Sequence, residues 1–169
     1  KAKNRLPSGH KSPRMKAASA LPLEQHNIEI QRNRDAWQRK PMLREVYHDF
    51  YRRIAAQLDP ATPGQVVELG SGMGRIKEII PQCVTTDLFP NPWLDRRENC
   101  YQLNFAAGAV SHLILFDVWH HLRYPGTALR EFHRVLAPGG RLIVAKGRCR
   151  CKRKSDSPGI SSPPACSRR

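Results

Sequence analysis

The chain lacks any run of apolar residues long enough to cross a bilayer, for which about 20 are needed. The basic residues at its N-terminus are not followed by an apolar segment, so no secretory signal is predicted there. Its cysteines number only five, and the three near the C-terminus (Cys149, Cys151 and Cys166) have no fitting histidine. These absences predict a cytoplasmic protein with reduced thiols, no metal site and no membrane partner.

Acidic residues are also scarce, with 14 Asp and Glu against 29 Lys and Arg, and the net charge is +15. Residues 1–20 contribute six of these charges and residues 146–169 contribute seven, so the middle of the chain carries only +2. Neither end interleaves aromatic residues with its charges, as a surface for single-stranded nucleic acid would. We predict a disordered basic leader over residues 1–22 and a disordered basic tail over residues 146–169. Nucleic-acid binding through these ends stays open as an alternative.

Between these ends the chain predicts one domain over residues 23–145. Its N-terminal helices should span residues 23–59, with a second helix that begins at Pro41, a residue suited to the first helical position. Apolar residues follow at spacings of three and four and predict one helix face packed on a core. These residues are Leu43, Val46, Tyr47, Phe50, Ile54 and Leu58.

Residues 65–145 alternate short apolar runs with helical segments, which predicts a parallel sheet with helices on both faces. The apolar runs predict strands at 66–69, 83–86, 110–116 and 142–145, and the third strand is expected near 99–105. Helices are predicted over residues 75–80 and 127–136.

A glycine-rich turn follows the first of these strands. Gly70, Gly72 and Gly74 lack the Cβ that would block a close approach of ligand to backbone, and a helix N-terminus follows them. A dinucleotide-binding turn has the spacing G-x-G-x-x-G, whereas here the third glycine comes one residue early and Arg75 takes its place. This spacing disfavours an NAD-dependent oxidoreductase.

The pattern E-x-G-x-G-x-G that begins at Glu68 resembles the first motif of the class I S-adenosylmethionine-dependent methyltransferases. Residues 117–122 are similar to that family's D-V-L-H-H-L, and residues 129–142 to its L-R-E-x-x-R-V-L-x-P-G-G-R-L. The resemblance covers roughly residues 50–145. It implies a Rossmann-like α/β fold with strand order 3-2-1-4-5, and S-adenosylmethionine as cofactor.

The resemblance also implies which residues hold the cofactor. Asp87 lies 19 residues after Glu68, at the end of the second strand, where the family's acid binds the ribose; a simple turn residue is the alternative. Asn99 stands where the family has an acid that contacts adenine, and its amide oxygen can still accept a hydrogen bond, unless it is a solvated loop residue. The implied cofactor-binding residues are Glu68, Gly70, Ser71, Gly72, Gly74, Asp87, Leu88, Asn99 and Cys100.

Three candidate catalytic residues, Asp117, His120 and His121, follow the fourth strand, near the implied substrate opening. Histidine titrates near neutral pH and suits a general base, although the pair could instead pack or cap a helix. The implied reaction is methyl transfer to an unidentified, small-molecule acceptor. A non-catalytic, cofactor-binding remnant is the alternative.

The family fold continues past its fifth strand with a helix and two more strands. Residues 146–169 are basic, rich in Ser and Pro, and almost free of large apolar residues, so they cannot supply a strand pair. We therefore predict a truncated core without strands six and seven, in which strand five forms an uncovered edge.

Overall fold

A computed structural model describes residues 23–147, so the predictions for the leader and for the tail beyond residue 147 lie outside the described residues. Three α-helices and five strands follow in chain order. They are α1 (Leu23–Arg39), α2 (Pro41–Ala55), β1 (Gln65–Leu69), β2 (Val84–Asp87), β3 (Arg96–Arg97), β4 (Val110–Phe116), α3 (Pro125–Val135) and β5 (Leu136–Ala145). Two 3-10 turns, Arg75–Glu78 and Trp119–His121, follow β1 and β4.

The five strands form one parallel sheet with the order β3-β2-β1-β4-β5, which confirms the predicted topology. Strand β1 is central: its last residue, Leu69, pairs with Thr86 of β2 and with Leu115 of β4. The chain leaves β1 in one direction across the sheet and later returns to its other side. In open α/β sheets such a reversal of strand order opens a crevice at the carboxyl ends of the strands.

Alternate residues of β4 face opposite layers, as the two-residue period of a strand requires. Leu113 and Leu115 pack in one buried cluster with Phe132 of α3, whereas Ile114 packs in a second cluster with Ile54 of α2. All seven residues of β4 are buried. Helices therefore cover both faces of the sheet, as predicted. Because β4 is buried on both faces, it is apolar throughout apart from Ser111 and His112.

Helix α2 begins at Pro41, as predicted, and turns most of its apolar stripe toward the sheet. Ile54 is buried, but Val46 is 46% exposed, which corrects its expected place in the core. Tyr51, which the spacing did not single out, is buried instead. The stripe is thus rotated slightly toward Tyr51, because α2 packs against the 3-10 turn as well as the sheet.

The third strand was predicted in the wrong place. It is the two-residue strand Arg96–Arg97, and residues 99–105 form turns and loop with one antiparallel bridge between Asn99 and Gln102. The buried Glu98 is the physical reason, because its carboxylate accepts a hydrogen bond of 2.8 Å from the Asn104 amide and folds the segment back.

Other predicted bounds shift by a few residues. The helix expected over residues 75–80 is one 3-10 turn, since Pro81 follows too soon for a longer helix. Helix α3 begins two residues early, at Pro125, and ends at Val135, and β5 extends back to Leu136. Within residues 23–147, β5 pairs only with β4, and its Val144 is 47% exposed. None of the helices described over this range is long and apolar enough to cross a membrane.

Candidate functional site

A cavity of about 170 Å³ opens at the carboxyl ends of β1 and β4. The glycine turn and the end of β4 form one wall, and helices α1 and α2 form the other. Its lining residues are Ile30, Asn33, Ala36, Trp37, Leu43, Tyr47, Tyr51, Glu68, Gly70, Ser71, Gly72, Met73, Arg75, Phe116 and Asp117.

The three glycines of the turn all have positive φ, from 55° to 72°, a conformation that side chains disfavour. A Cβ on Gly70 would lie 2.4 Å from Cγ2 of Val118, and one on Gly74 would lie 2.8 Å from the Trp93 carbonyl oxygen. The protein's own packing therefore requires glycine at these two positions. At Gly72 the one atom within 4 Å of such a Cβ would be Cδ1 of Ile30, at 3.8 Å, an ordinary van der Waals distance. Of the three glycines, only Gly72 therefore has room for a Cβ, and we call this side of the residue, which lines the cavity, the open face of Gly72.

Side chains from β2 and the following loop hold the turn in shape. Asp87 Oδ2 accepts a hydrogen bond of 3.1 Å from the Gly72 amide, while its Oδ1 accepts one of 2.7 Å from the Leu88 amide. Asn91 Nδ2 donates to the Gly72 carbonyl oxygen at 2.8 Å. Asp87 does not lie on the cavity wall. The sequence analysis made no prediction for Asn91, and its place between Pro90 and Pro92 was the one local signal available.

Ser71 joins the turn to both central strands. Its hydroxyl donates to the Glu68 carbonyl oxygen and accepts from the Thr86 amide, each at 3.1 Å. Its own amide donates to the Thr86 carbonyl oxygen at 2.8 Å. Ser71 therefore both lines the cavity and continues the pairing of β1 with β2 into the turn.

Glu68 is a buried acidic residue in the wall of the cavity. Its side chain is buried, and Oε2 has no hydrogen-bond partner among the described residues. Burial, with a smaller contribution from the charge of Asp87, raises the pKa of this carboxyl to about 7. A buried carboxylate oxygen without a partner is costly unless a ligand pairs with it, so Glu68 marks the place of a cationic or hydrogen-bond-donating group.

The residues implied for the adenine side are not on the cavity wall. Leu88 is 39% exposed, and Asn99 uses its Oδ1 to accept a hydrogen bond of 3.0 Å from the Tyr101 amide. Cys100 packs against the cluster under α3, and burial raises the pKa of its thiol. The structure thus brings Glu68 and the turn together and leaves these three residues outside the enclosed space.

Of the three candidate catalytic residues, only Asp117 lines the cavity. Its φ of 59° makes it the one non-glycine residue with positive φ among those described, and such strain is common at functional sites. His120 Nδ1 lies 3.8 Å from Asp117 Oδ1, and the rings of His120 and His121 are 4.0 Å apart. The two histidines are exposed and lie off the cavity wall.

The helical wall of the cavity was not predicted as part of the site. The sequence analysis assigned Tyr47 to the core and made no prediction for Trp37, but both line the cavity. Arg75 lies over the Trp37 ring at 5.4 Å and pairs through Nη1 with Glu78 Oε1 at 3.0 Å. The sequence signal for this wall was the presence of Trp37 and Tyr47 on the two helices, because each combines a large apolar ring with a polar atom that needs a partner.

A second cavity, of about 320 Å³, lies at the amino ends of β1 and β4, between Gly64, Gln82 and His112. In open α/β sheets ligands bind at the carboxyl ends of the strands, so the cavity at the glycine turn is the candidate site. Within residues 23–147, no three His, Cys, Asp or Glu side chains cluster as metal ligands would.

Comparison with known families agrees with this geometry, since residues 67–144 match the family described as "Methyltransferase domain". This match covers a little under half of the chain, and over it the chain is similar to that methyltransferase family. The matched segment begins in β1 and ends in β5, so it contains the glycine turn, Asp87 and Asp117. No curated protein sequence matches the chain.

Solved structures share the fold of this chain at low sequence identity. A candidate S-adenosylmethionine-dependent methyltransferase of Methanococcus maripaludis aligns with a TM-score of 0.55 and 14% identity over 74% of this chain and 64% of its own. A SAM-dependent methyltransferase of Thermotoga maritima gives 0.53 and 19% over 68% and 58%. A Haloferax volcanii methyltransferase, solved with its Trm112 activator, gives 0.53 and 18% over 72% and 58%. The chain thus spans about three fifths of the length of these neighbours.

The chemistry of the cavity is compatible with one end of S-adenosylmethionine. The open face of Gly72 leaves room for a ligand close to the backbone, and Oε2 of Glu68, which has no partner among the described residues, can accept a hydrogen bond from an ammonium group. The cofactor carries such a group on its amino-acid end. These residues therefore match the chemistry of that end.

Proposed function

We propose that this chain is an S-adenosylmethionine-dependent methyltransferase that acts on a small-molecule acceptor. The observation that carries the proposal is the buried carboxylate of Glu68, whose Oε2 has no partner within residues 23–147, beside the open face of Gly72 near the carboxyl end of the central strand. A cation is the natural partner of this carboxylate, and the amino group of the cofactor's methionine part supplies one.

Each residue of the turn has a distinct part in this proposal. Glu68, in its ionised form, accepts the hydrogen bond of the ammonium group, and Gly72 lets the ligand lie against the backbone. Gly70 and Gly74 keep the turn closed on Val118 and Trp93, and Ser71 joins it to β2. When bound, S-adenosylmethionine supplies a methyl group on a positively charged sulfur. The protein therefore acts mainly by positioning.

The ribose and adenine contacts are part of the same proposal. Asp87 accepts hydrogen bonds from backbone amides, but a carboxylate has about four acceptor positions, so a ribose hydroxyl can still be bound. Leu88 offers an exposed apolar side chain to the adenine, and Asn99 and Cys100 lie in the turn that would border its edge.

Asp117 is the proposed residue nearest to the acceptor, because it lines the cavity at the end of β4. His120 is within 3.8 Å of the Asp117 carboxylate and can take a proton from it to solvent, with His121 stacked behind. Histidine is suited to such a role because its ordinary pKa is near 6.5. We also place the protein in the cytoplasm as part of this proposal.

A second candidate function is a cofactor-binding remnant without catalysis. The positions of His120 and His121, exposed and off the cavity wall, favour considering it. An NAD-dependent oxidoreductase is disfavoured, because Arg75 fills the position of the third dinucleotide glycine and lines the cavity.

Calorimetric titration of the full chain with S-adenosylmethionine, its demethylated product S-adenosylhomocysteine, and NAD tests the proposal. We expect both adenosyl compounds to bind and NAD not to bind. Gly72→Val should abolish this binding, since the side chain would point into the open face, while the matched change Gly126→Ala, where nothing lies within 4 Å, should leave it unchanged. Binding of NAD alone would overturn the proposal. Binding of S-adenosylmethionine with no methyl transfer to any acceptor pool would favour the remnant.

A further inference from the structure

One end of the cavity is built from aromatic rings that meet at right angles. Tyr47 contacts Trp37 with ring centroids 5.6 Å apart at 87°, and it contacts Phe116 at 5.4 Å and 89°. We call Trp37, Tyr47 and Phe116 the aromatic corner. All three residues line the cavity, and perpendicular rings form a concave surface where parallel rings would form a flat stack.

A carboxylate lies beside this corner. Asp117 follows Phe116 in the chain and lines the same cavity, with its side chain 49% exposed. Its charge acts on the Tyr47 phenol, whose pKa is raised first by burial and then by Asp117. The backbone of Asp117 is held at a φ of 59°, so the fold keeps the carboxylate here despite local strain.

We propose that the aromatic corner and Asp117 bind the ammonium group of the methyl acceptor, so that the acceptor is a small amine. Because a protonated nitrogen has no lone pair, the bound ammonium loses one proton to the Asp117 carboxylate, which His120, 3.8 Å away, carries to solvent. The neutral amine then takes the methyl group as the bond between that methyl and the cofactor's sulfur breaks, and S-adenosylhomocysteine is the leaving group.

The proposal rests on the proposed function and names the substrate class of the same site. Aromatic faces attract cations through the ring quadrupole, and a nearby carboxylate adds direct attraction. A neutral acceptor would use neither term. Arg75 also lines the cavity and already lies over the Trp37 ring at 5.4 Å, so the ammonium group of the acceptor would face Tyr47, Phe116 and Asp117.

Glu68 occupies a separate part of the cavity wall, on β1, and is already assigned to the amino-acid end of the cofactor. The cofactor also carries a positive sulfur, which is the other cation that the aromatic corner could bind. The two sources differ in one measurable respect, because S-adenosylhomocysteine lacks the positive charge on sulfur and is otherwise nearly the same molecule.

The test compares choline with 3,3-dimethyl-1-butanol, which has the same shape but a carbon in place of the charged nitrogen. Each probe is titrated by NMR into the full chain saturated with S-adenosylhomocysteine, and again without it. We expect choline to bind about tenfold more tightly than the alcohol, the scale of a partly desolvated cation–π site. Equal binding of the two probes would overturn the proposal.

Variants test which residues cause the preference for choline over the alcohol. Tyr47→Leu and Asp117→Asn should each reduce the choline preference several-fold, whereas Tyr47→Phe, which keeps the ring, should retain it. Tyr124→Leu is the matched control, because Tyr124 is an exposed aromatic residue off the cavity wall. Thermal melts of every variant show whether the fold is kept, and Tyr47→Phe and Asp117→Asn change little of the packing.

The affinities of S-adenosylmethionine and S-adenosylhomocysteine separate the remaining outcomes. If Tyr47→Leu weakens only the charged compound and leaves the choline preference intact, the corner binds the positive sulfur and the acceptor proposal is overturned. If the wild-type chain binds neither compound, the proposed function fails. In that case a preference for choline in the cofactor-free protein still supports an ammonium site at the aromatic corner, and equal binding of the two probes overturns it.

Discussion

The Asp87 carboxylate accepts a hydrogen bond from the Gly72 amide, with 3.1 Å between Oδ2 and N, across 15 residues of chain. Gly72 is the one glycine of the turn with room for a Cβ. Asp87 is the last residue of the neighbouring strand β2. The two parallel strands β1 and β2 bring the residues together, because their carboxyl ends lie at the same edge. An acid expected to bind a ligand thus also holds the backbone that the ligand approaches.

Replacing Asp87 should therefore affect both stability and binding. Asp87→Ala removes the acceptor of amides in the turn and in the following loop, and we expect a loss of about 1.5–3 kcal/mol in the free energy of unfolding. The affinity for S-adenosylhomocysteine should fall at least tenfold. Urea denaturation and calorimetry measure the two effects. The control Asp49→Ala breaks only an exposed ion pair with Arg53 and should change stability by less than about 0.5 kcal/mol. Equal effects of the two changes would contradict the bracing role.

The stability of the wild-type chain should depend on the ionisation of Glu68. Its folded-state pKa is raised from 4.5 to about 7, so the folded protein binds more protons than the unfolded chain between these values. The contribution of Glu68 to the free energy of unfolding therefore falls as pH rises from about 4.5 to 7, and it is constant above pH 7. Relative to Glu68→Gln, the wild type should lose on the order of 3 kcal/mol between pH 4.5 and 8. Urea denaturation of both proteins over this range measures the difference. If the stabilities of wild type and Glu68→Gln depend on pH in the same way, the prediction is wrong. The control is Glu45→Gln, an exposed change on α2, whose stability should follow that of the wild type at every pH.

Ligand affinity should show the opposite pH dependence. The ammonium group of S-adenosylhomocysteine pairs with ionised Glu68, which is mostly protonated below its pKa of about 7 in the free protein. Its affinity should therefore be about tenfold lower at pH 6 than at pH 8. 5′-Methylthioadenosine lacks the amino-acid part and should bind equally at both pH values. Calorimetry with the two compounds provides the test, and a shared pH dependence would place the ammonium group elsewhere.

The glycines of the turn should differ in what their substitution disturbs. Gly70→Ala places a Cβ 2.4 Å from Val118 Cγ2 and should destabilise the fold by about 3 kcal/mol or more. Gly72→Ala meets no such clash and should lose only the 1–2 kcal/mol or so of a side chain at positive φ. Shortening the clashing side chain in Gly70→Ala/Val118→Ala should restore part of the stability. Thermal and urea unfolding measure all three, and a double variant less stable than Gly70→Ala would refute the packing account.

Local patterns in the sequence predicted the parts of the fold whose cause is local. The apolar run Val110–Phe116 is a strand buried on both faces, and Pro41 begins a helix. The turn at Gly70, Gly72 and Gly74 was predicted because positive φ excludes most other residues. The third strand was misplaced, because the buried Glu98 bonds to Asn104 and no local pattern shows which polar residue will be buried.

The candidate site divides in the same way. Glu68, the glycine turn and Asp117 were predicted because they lie near the end of β1 or directly after β1 and β4, and parallel strands gather such residues at one edge of the sheet. The tertiary structure alone decided that Trp37 and Tyr47 form the opposite wall and that His120 and His121 lie outside it. It also decided that Oε2 of Glu68 has no partner among the described residues. The physical reason is that a residue's place along one strand or turn depends on neighbours in sequence. Burial and pairing depend on which distant helix covers it, and that is set by the packing of the whole domain.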